Sequence, residues 1–131
     1  LNLRDMIGEG GLSGLIAGTN DLAAELKLPP GAGRAALQFA LQAIVCAARA
    51  AGLPCWDGVF NRLDDAEGLE AEAGEGRLLG FDGKSLIHPD QIAPVKRAFA
   101  PSPSEIARAE RLIAAATGGA ERFEGEMIED L

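Results

Sequence analysis

Polar residues follow three short apolar segments of the chain, and their types suit ligand binding or acid-base chemistry. Residues 18–21 (Gly-Thr-Asn-Asp) end the first segment, Asp57 and Asn61 lie at the second, and residues 84–88 lie at the third. Because ligands of α/β folds bind at the carboxyl ends of parallel strands, we expect these groups to line one edge of a sheet. Asp21 is a hard oxygen ligand of the kind that Mg²⁺ prefers, so it is a candidate metal ligand there.

Simpler structural interpretations compete with these functional ones. Asn20 or Asp21 caps the helix after the first strand, since Asn and Asp side chains satisfy free amides at helix starts. His88 is the single histidine, and a lone histidine is more often a structural group at a strand end than a base. Cys46 and Cys55 have no third Cys or His nearby, so both are interpreted as reduced core thiols. The residues alone leave both interpretations of Asp21 open.

Two common phosphate-binding motifs do not fit the sequence. Gly83-Lys84-Ser85 matches the end of a phosphate loop, but Leu78 stands where that loop requires glycine, and a strand follows instead of a helix. The glycines of residues 8–14 precede a strand, whereas a dinucleotide fingerprint follows one. A serine nucleophile elbow is also missing from the sequence, which argues against serine-based hydrolysis.

Charge and hydropathy exclude two classes of partner. The chain has 131 residues and a formal net charge of -8, which repels nucleic-acid phosphates and anionic lipids. No apolar run approaches the roughly 20 residues that cross a bilayer. We therefore expect no nucleic-acid partner and no membrane partner. The chain starts at Leu1 without a secretory leader pattern, so we interpret it as a fragment of a cytoplasmic protein.

Apolar periodicity and turn residues predict alternating helices and strands. The predicted strands are residues 14–18, 53–60 and 83–88, and the predicted helices are residues 1–12, 34–51, 64–79 and 92–99. This alternation indicates an α/β class with parallel strands joined by right-handed crossovers. A closed eight-stranded barrel typically needs about 250 residues, so the chain is either a small open sheet or the back part of a larger barrel.

The C-terminal part has a clear helix start and an acidic end. Ser102-Pro103-Ser104-Glu105 combines a capping serine, a proline at the first helical position and a glutamate at the third. Residues 120–131 carry five acidic side chains and one Arg. That composition suits a mobile arm that docks through Met127 and Ile128, and it does not suit a core element.

Four segments carry a recognisable combination of motifs. They are residues 18–23 (GTNDLA), 57–60 (DGVF), 80–92 (GFDGKSLIHPDQI) and 126–129 (EMIE). This combination resembles the citrate lyase beta subunit-like family of the HpcH/HpaI aldolase/citrate lyase superfamily. The match covers nearly all of the chain in order, and residues 80–92 are its specific part.

The resemblance implies a fold and an activity. The chain would be the C-terminal part of a TIM (β/α)8 barrel, with residues 1–101 as the last three strand-helix units and residues 102–131 as the C-terminal helix and lid segment. The activity would be Mg²⁺-dependent carbon-carbon cleavage of a 3-hydroxyacyl thioester of the malyl-CoA, citramalyl-CoA or citryl type. The products would be an acyl-CoA and a keto acid or glyoxylate. The carrier would be CoA or an acyl carrier protein, and the assembly a homotrimer or a multiple of it.

The resemblance also implies roles for individual residues. Asp21 matches a Mg²⁺ ligand, and Gly18, Thr19 and Asn20 would contact the substrate, with the Thr19 and Asn20 amides facing its carboxylate. A second Glu ligand and an Arg that contacts the keto acid belong to earlier strands of the family.

Three further residues receive roles from the same resemblance. Lys84 and His88 are the candidate contacts of the coenzyme near the last strand. Glu129 aligns with a lid Asp that protonates the enolate in a neighbouring subunit's site, and its side chain is one methylene longer. Two alternatives remain open: a non-catalytic homologue or scaffold that binds a nucleotide or a partner, and an aldolase that acts on free hydroxy-keto acids.

Overall fold

The structure is a computed structural model that describes residues 2–8, 10–115 and 121–128. The chain divides into two units, residues 1–99 and residues 100–131. Within the described ranges, every helix is too short or too polar to span a bilayer.

The first unit alternates helices with short strands, as the sequence predicts. Its elements are α1 (Leu3–Gly8), β1 (Leu15–Ile16), α2 (Thr19–Glu25), α3 (Gln38–Ala50), β2 (Cys55–Asp57), α4 (Ala66–Leu79), β3 (Gly83–Lys84) and α5 (Ile92–Phe99). Single 3-10 turns precede α3 and α5, over Arg34–Leu37 and Pro89–Gln91. All three strands are shorter than predicted. The predictions followed the apolar runs, and only part of each run forms backbone hydrogen bonds with a neighbouring strand.

The three strands form one parallel sheet in the order β1-β2-β3. Ile16 pairs with Trp56, and Asp57 pairs with Lys84 in the last register position. The predicted parallel arrangement is confirmed for these strands. Their carboxyl ends therefore meet at one edge, where the polar groups lie.

Helix α3 provides half of the larger core cluster. Four of its buried side chains recur at three- and four-residue steps and pack with Cys55 of β2 and with Phe81: Leu41, Ile44, Val45 and Ala48. Gly52, at φ 65°, follows the helix end as predicted. The prediction of two core thiols is half wrong, since Cys55 is buried but Cys46 is exposed. Cys46 lies on the outer face of α3. Its residue type alone does not indicate on which face of the helix it lies.

Helix α4 is bounded by the two signals that the sequence contains. The Asp65 carboxylate accepts a hydrogen bond from the Gly68 N–H, and Gly80 adopts a left-handed conformation at the other end. The Arg62 side chain and the Gly68 N–H both hydrogen-bond this carboxylate, and they lower the pKa of Asp65 below its usual value. The helix start and end predicted around residues 64–79 are thus confirmed.

The described residues of the second unit form one helix and one hairpin. Its elements are α6 (Pro103–Ala115) and the antiparallel strands β4 (Glu121–Phe123) and β5 (Glu126–Ile128). Residues 121–128, predicted as an arm and not as a core element, thus form a hairpin that the composition did not indicate. Arg108 and Arg111 of α6 pair with Glu126 and Glu124, so acidic side chains that suggest a solvated tail instead tie the hairpin to the helix.

We predict that the start of α6 is stabilised by Ser102. The Glu105 N–H donates to Ser102 Oγ over 3.2 Å, and the Ser102 N–H donates to the Glu105 carboxylate over 2.7 Å, which confirms the capping box. Ser102→Ala should lower the free energy of unfolding by about 1 kcal/mol in chemical denaturation. Ser102→Asp keeps an acceptor and should behave like the unchanged protein. A large fall in turnover at unchanged stability would instead place this helix in the active site.

Candidate functional site

Asp21 lies in the first turn of α2, directly beyond the carboxyl end of β1. Gly18 occupies the N-cap position of this helix, and no side chain forms a capping hydrogen bond at the helix start. The Asp21 side chain is exposed, and no hydrogen bond or ion pair joins it to another described residue. A Cβ placed on Gly18 would lie 3.3 Å from Asp21 Oδ2, so the carboxylate folds back toward the start of the helix. The capping interpretation is therefore wrong, and the carboxylate is available to a cation.

A cavity of 220 Å³ contains this carboxylate in its wall. The residues that line it come from all three strand ends: Ile16, Ala17, Gly18, Thr19, Asn20, Asp21, Val59 and Ser85. The structure thus brings the predicted metal ligand and the predicted substrate contacts to one cavity. Their roles there stay predictions.

The backbone around Thr19 corrects one part of that prediction. The Thr19 N–H donates to the Ala17 carbonyl oxygen over 3.0 Å, so it is not available to a substrate carboxylate. The Thr19 side chain packs against the backbone at Gly58, where a Cβ would collide with it. Thr19 therefore joins the β1 and β2 ends through an amide that is already engaged. It still lines the cavity with Gly18 and Asn20, and the substrate contacts of all three residues stay predictions.

The donor set fits Mg²⁺ as a partial site. Within the described ranges, no group of three or more His, Cys, Asp or Glu side chains is arranged to hold a metal. Protein-bound Mg²⁺ is commonly held by one or two carboxylates, with water and substrate oxygens as the other ligands. An exposed carboxylate without a described partner, in the wall of a cavity, meets that requirement for one ligand.

Lys84 is buried in an ion-pair network. Its Nζ lies 2.9 Å from Asp57 Oδ2 and 2.7 Å from Glu72 Oε1, and neither the Lys84 nor the Asp57 side chain is exposed. A coenzyme contact needs an accessible ammonium group. The structure therefore does not support the predicted coenzyme role of Lys84, and it gives this residue a buried structural position.

Arg34 completes the network from the 3-10 turn before α3. Its Nη2 donates to Asp57 Oδ2 over 2.9 Å, and its Nε forms a purely ionic contact with Glu75 Oε2 at 3.1 Å. The Gly58 N–H donates to the other Asp57 oxygen over 2.8 Å. Two cations thus face three carboxylates, which leaves one negative charge in excess. Both cations reach Asp57 and Glu72, and of these two carboxylates only Asp57 is fully buried.

Gly76 allows α4 to pass over this network. A Cβ at this position would lie 2.7 Å from Asp57 Oδ2, a distance that real Cβ atoms do not tolerate. Sequence reasoning treats such a glycine only as a weak point of the helix. A glycine inside a helical pattern is the one sequence signal for this close contact. The sequence does not show that the contact is with Asp57, because Asp57 lies 19 positions away in the chain.

His88 is exposed and has a local hydrogen bond. Its Nδ1 accepts from the Asp90 N–H over 3.3 Å at the start of the turn before α5. This contact agrees with the structural interpretation, and the predicted coenzyme contact stays a prediction. Glu129, the predicted catalytic residue, lies outside the described residues.

Comparison with known proteins identifies the family of this chain. The sequence model of the HpcH/HpaI aldolase/citrate lyase family matches residues 1–89. The chain belongs to this family. Members of the family therefore provide the reference for its fold, and the family resemblance read from the motifs is confirmed.

Two curated relatives act on CoA thioesters according to their names. A (3S)-malyl-CoA thioesterase of Cereibacter sphaeroides is 49% identical over 115 residues, which cover 88% of this chain and 40% of the relative. The mitochondrial citramalyl-CoA lyase of Homo sapiens is 44% identical over 97 residues, which cover 70% of this chain and 28% of the relative. The chain thus spans less than half the length of the curated relatives that it matches.

A solved structure of the same family shows a similar fold. It is the protein CitE of Mycobacterium tuberculosis in complex with magnesium, acetoacetate and coenzyme A, at 33% identity and a TM-score of 0.85. The alignment covers 98% of this chain and 51% of that protein. The chain is therefore a helix-rich α/β structure of the citrate lyase beta type, which is related to TIM barrels. That the three strands are the last three of a closed barrel stays a prediction.

Proposed function

We propose that this chain forms part of the active site of an enzyme that cleaves a 3-hydroxyacyl-CoA thioester between two carbon atoms. The observation that carries the proposal is the exposed Asp21 carboxylate, which has no described partner and lies in the wall of a cavity at the strand ends. The family membership and the CoA thioesters in the names of two relatives support the substrate class. Within this substrate class, we propose a thioester of the malyl-CoA or citramalyl-CoA type.

Asp21 would hold Mg²⁺ at the 220 Å³ cavity. The bound ion supplies Lewis-acid stabilisation for a substrate oxygen that becomes more negative during the reaction. Gly18 and Asn20 line the same wall and would orient the polar end of the substrate. The buried ion pairs of Asp57 with Arg34 and Lys84 would fix the carboxyl end of the neighbouring strand β2.

The cleavage step needs one proton donor. When the bond between the hydroxyl-bearing carbon and the neighbouring methylene breaks, the hydroxyl oxygen gives its proton to a water molecule and becomes a carbonyl oxygen. The bonding electrons pass to the methylene carbon as a thioester enolate, which then takes up a proton. Glu129 is the proposed donor, from the lid of a neighbouring subunit in a homotrimer or a multiple of it. CoA is the proposed carrier, with His88 as a proposed contact.

A second candidate function is hydrolysis of the thioester. The relative at 49% identity is named a thioesterase, which makes attack of water at the thioester carbonyl a specific alternative. The products then differ, because hydrolysis releases free CoA and a hydroxy acid, whereas cleavage keeps the thioester and releases a carbonyl compound.

Product analysis of the full-length protein with malyl-CoA and Mg²⁺ tests the two reactions. Cleavage should produce glyoxylate, measured with a carbonyl reagent, at the rate at which malyl-CoA disappears, and no free thiol. Hydrolysis should produce free thiol, measured with a thiol reagent, and no glyoxylate. Free hydroxy-keto acids serve as a control, because turnover of these alone would indicate an aldolase. If neither malyl-CoA nor the citramalyl thioester is turned over, the proposed function is wrong.

A further inference from the structure

The Asn20 and Asn61 side chains form a reciprocal hydrogen-bonded pair across the sheet edge. Asn61 Nδ2 donates to Asn20 Oδ1 over 2.8 Å, and Asn20 Nδ2 donates to Asn61 Oδ1 over 3.3 Å. The two residues are 41 positions apart and follow different strands, β1 and β2. Each amide therefore acts as donor and acceptor toward the other, which sets the orientation of both side chains.

The two sides of this pair are anchored unequally. Next to Asn61, the Phe60 ring is only 2% exposed, and the Phe60 carbonyl oxygen accepts a hydrogen bond of 2.9 Å from the buried Gln91 side chain. On the other side, Asn20 lies in α2, which has no buried residue and no side-chain cap. Asn61 is thus the more firmly held partner. On the Asn20 side, Thr19 packs on Gly58 and Leu22 packs against the core, and the pair adds a third contact that places the first turn of α2.

Asn20 directly precedes Asp21, so the pair acts on the proposed metal ligand. Its two hydrogen bonds hold the first turn of α2 at the strand edge, and the Asp21 carboxylate belongs to the same turn. Mg²⁺ requires near-ideal octahedral geometry, so a displaced first turn would misplace its ligand. Groups that orient a ligand in this way typically change metal affinity or activity by about 10- to 100-fold when they are removed.

We propose that Asn61 is a positioning residue for Asp21, acting through its paired hydrogen bonds with Asn20. The proposal rests on the proposed function, because it takes Asp21 as the Mg²⁺ ligand. Asn61 itself is outside the wall of the cavity that contains Asp21, and it lines a neighbouring cavity of 390 Å³. Its contribution is therefore made through Asn20.

Calorimetric titration of the full-length protein with Mg²⁺ alone tests the proposal. Asn61→Ala should weaken Mg²⁺ binding by about 10-fold or more, with a small change in melting temperature, because both side chains of the pair are exposed. Asn20→Ala should weaken binding similarly. The double variant should be no weaker than either single variant, since the two residues act as one unit. Leu63→Ala is the matched control on the same loop, and it should bind Mg²⁺ like the unchanged protein.

Three results would overturn the proposal. The first is unchanged Mg²⁺ affinity in Asn61→Ala, even with a lowered melting temperature, since the pair would then be only a structural tie. The second is additive losses in the double variant, which would show two separate effects. The third is an equal loss in Leu63→Ala, which would indicate a general disturbance of the loop. Asp21→Asn distinguishes the two levels: if it leaves Mg²⁺ binding unchanged, the metal assignment of the proposed function fails, whatever Asn61 does.

Discussion

Asp21→Asn is expected to weaken Mg²⁺ binding and to lower turnover of the full-length enzyme by about 10²-fold or more. The substitution keeps the shape of the side chain and removes the negative charge that a hard divalent cation requires. The fold should be preserved, because the Asp21 side chain is exposed and makes no hydrogen bond or ion pair with the other described residues. Loss of activity at unchanged melting temperature is therefore the expected signature.

The measurement pairs a Mg²⁺ titration with the product assay for each variant. Glu25→Gln provides the control, since Glu25 is an exposed carboxylate in the last turn of the same short helix. Glu25→Gln removes one negative charge from α2, as Asp21→Asn does, but at the helix end that is remote from the strand edge. The Mg²⁺ affinity of this variant should therefore not change. If Asp21→Asn also leaves the affinity unchanged, Asp21 is not a metal ligand.

Lys84→Met is expected to lower the free energy of unfolding by about 3–5 kcal/mol. Neither Lys84 nor Asp57 has an exposed side chain, and their 2.9 Å contact lies inside the network of two cations and three carboxylates. Removing the ammonium leaves the buried Asp57 carboxylate with Arg34 as its single cation. The excess of negative charge then doubles. This is costly because the buried Asp57 carboxylate has lost its hydration and keeps only one of the two cations that compensate for that loss.

Chemical denaturation with Arg97→Met as the control measures this effect. Arg97 pairs with Glu70 over 3.2 Å on the surface, where both side chains are about half exposed, and such a pair contributes roughly 0–1 kcal/mol. Both variants lose one positive charge. The difference between their losses in free energy of unfolding therefore measures the effect of burying the ion pair. An unchanged stability of Lys84→Met together with a raised KM for the CoA thioester would contradict the buried position and restore the coenzyme contact.

Local signals predicted the bounds of α4 and α5 closely, whereas the first helix covers only Leu3–Gly8 of the predicted residues 1–12. Helix α5 over Ile92–Phe99 coincides with its predicted range, and α4 begins at the Asp65 cap and ends before Gly80. A cap acts on amides within one turn, and a glycine after a helix satisfies the last carbonyls within one turn. Such signals need no information from distant residues, so the sequence alone is sufficient.

Strand lengths and the hairpin were predicted less well, because pairing joins distant or reversed segments. The run over residues 83–88 has strand-forming composition, but only Gly83 and Lys84 pair with β2. Conversely, residues 121–128 look like a charged tail and form two paired strands. Composition describes what a segment tolerates, whereas the ladder depends on which partner the fold brings alongside it.

The sequence by itself determined the α/β class, the parallel arrangement of the strands and the placement of Asp21, Asp57 and Lys84 at their carboxyl ends. These features follow from the alternation of helices and strands along the chain. Only the tertiary structure decided that Asp21 is exposed, whereas Asp57 and Lys84 are buried. Residue type does not distinguish a surface lysine from a paired one. That distinction depends on Arg34 and on the neighbouring helix α4, which the fold brings to Asp57 from distant positions.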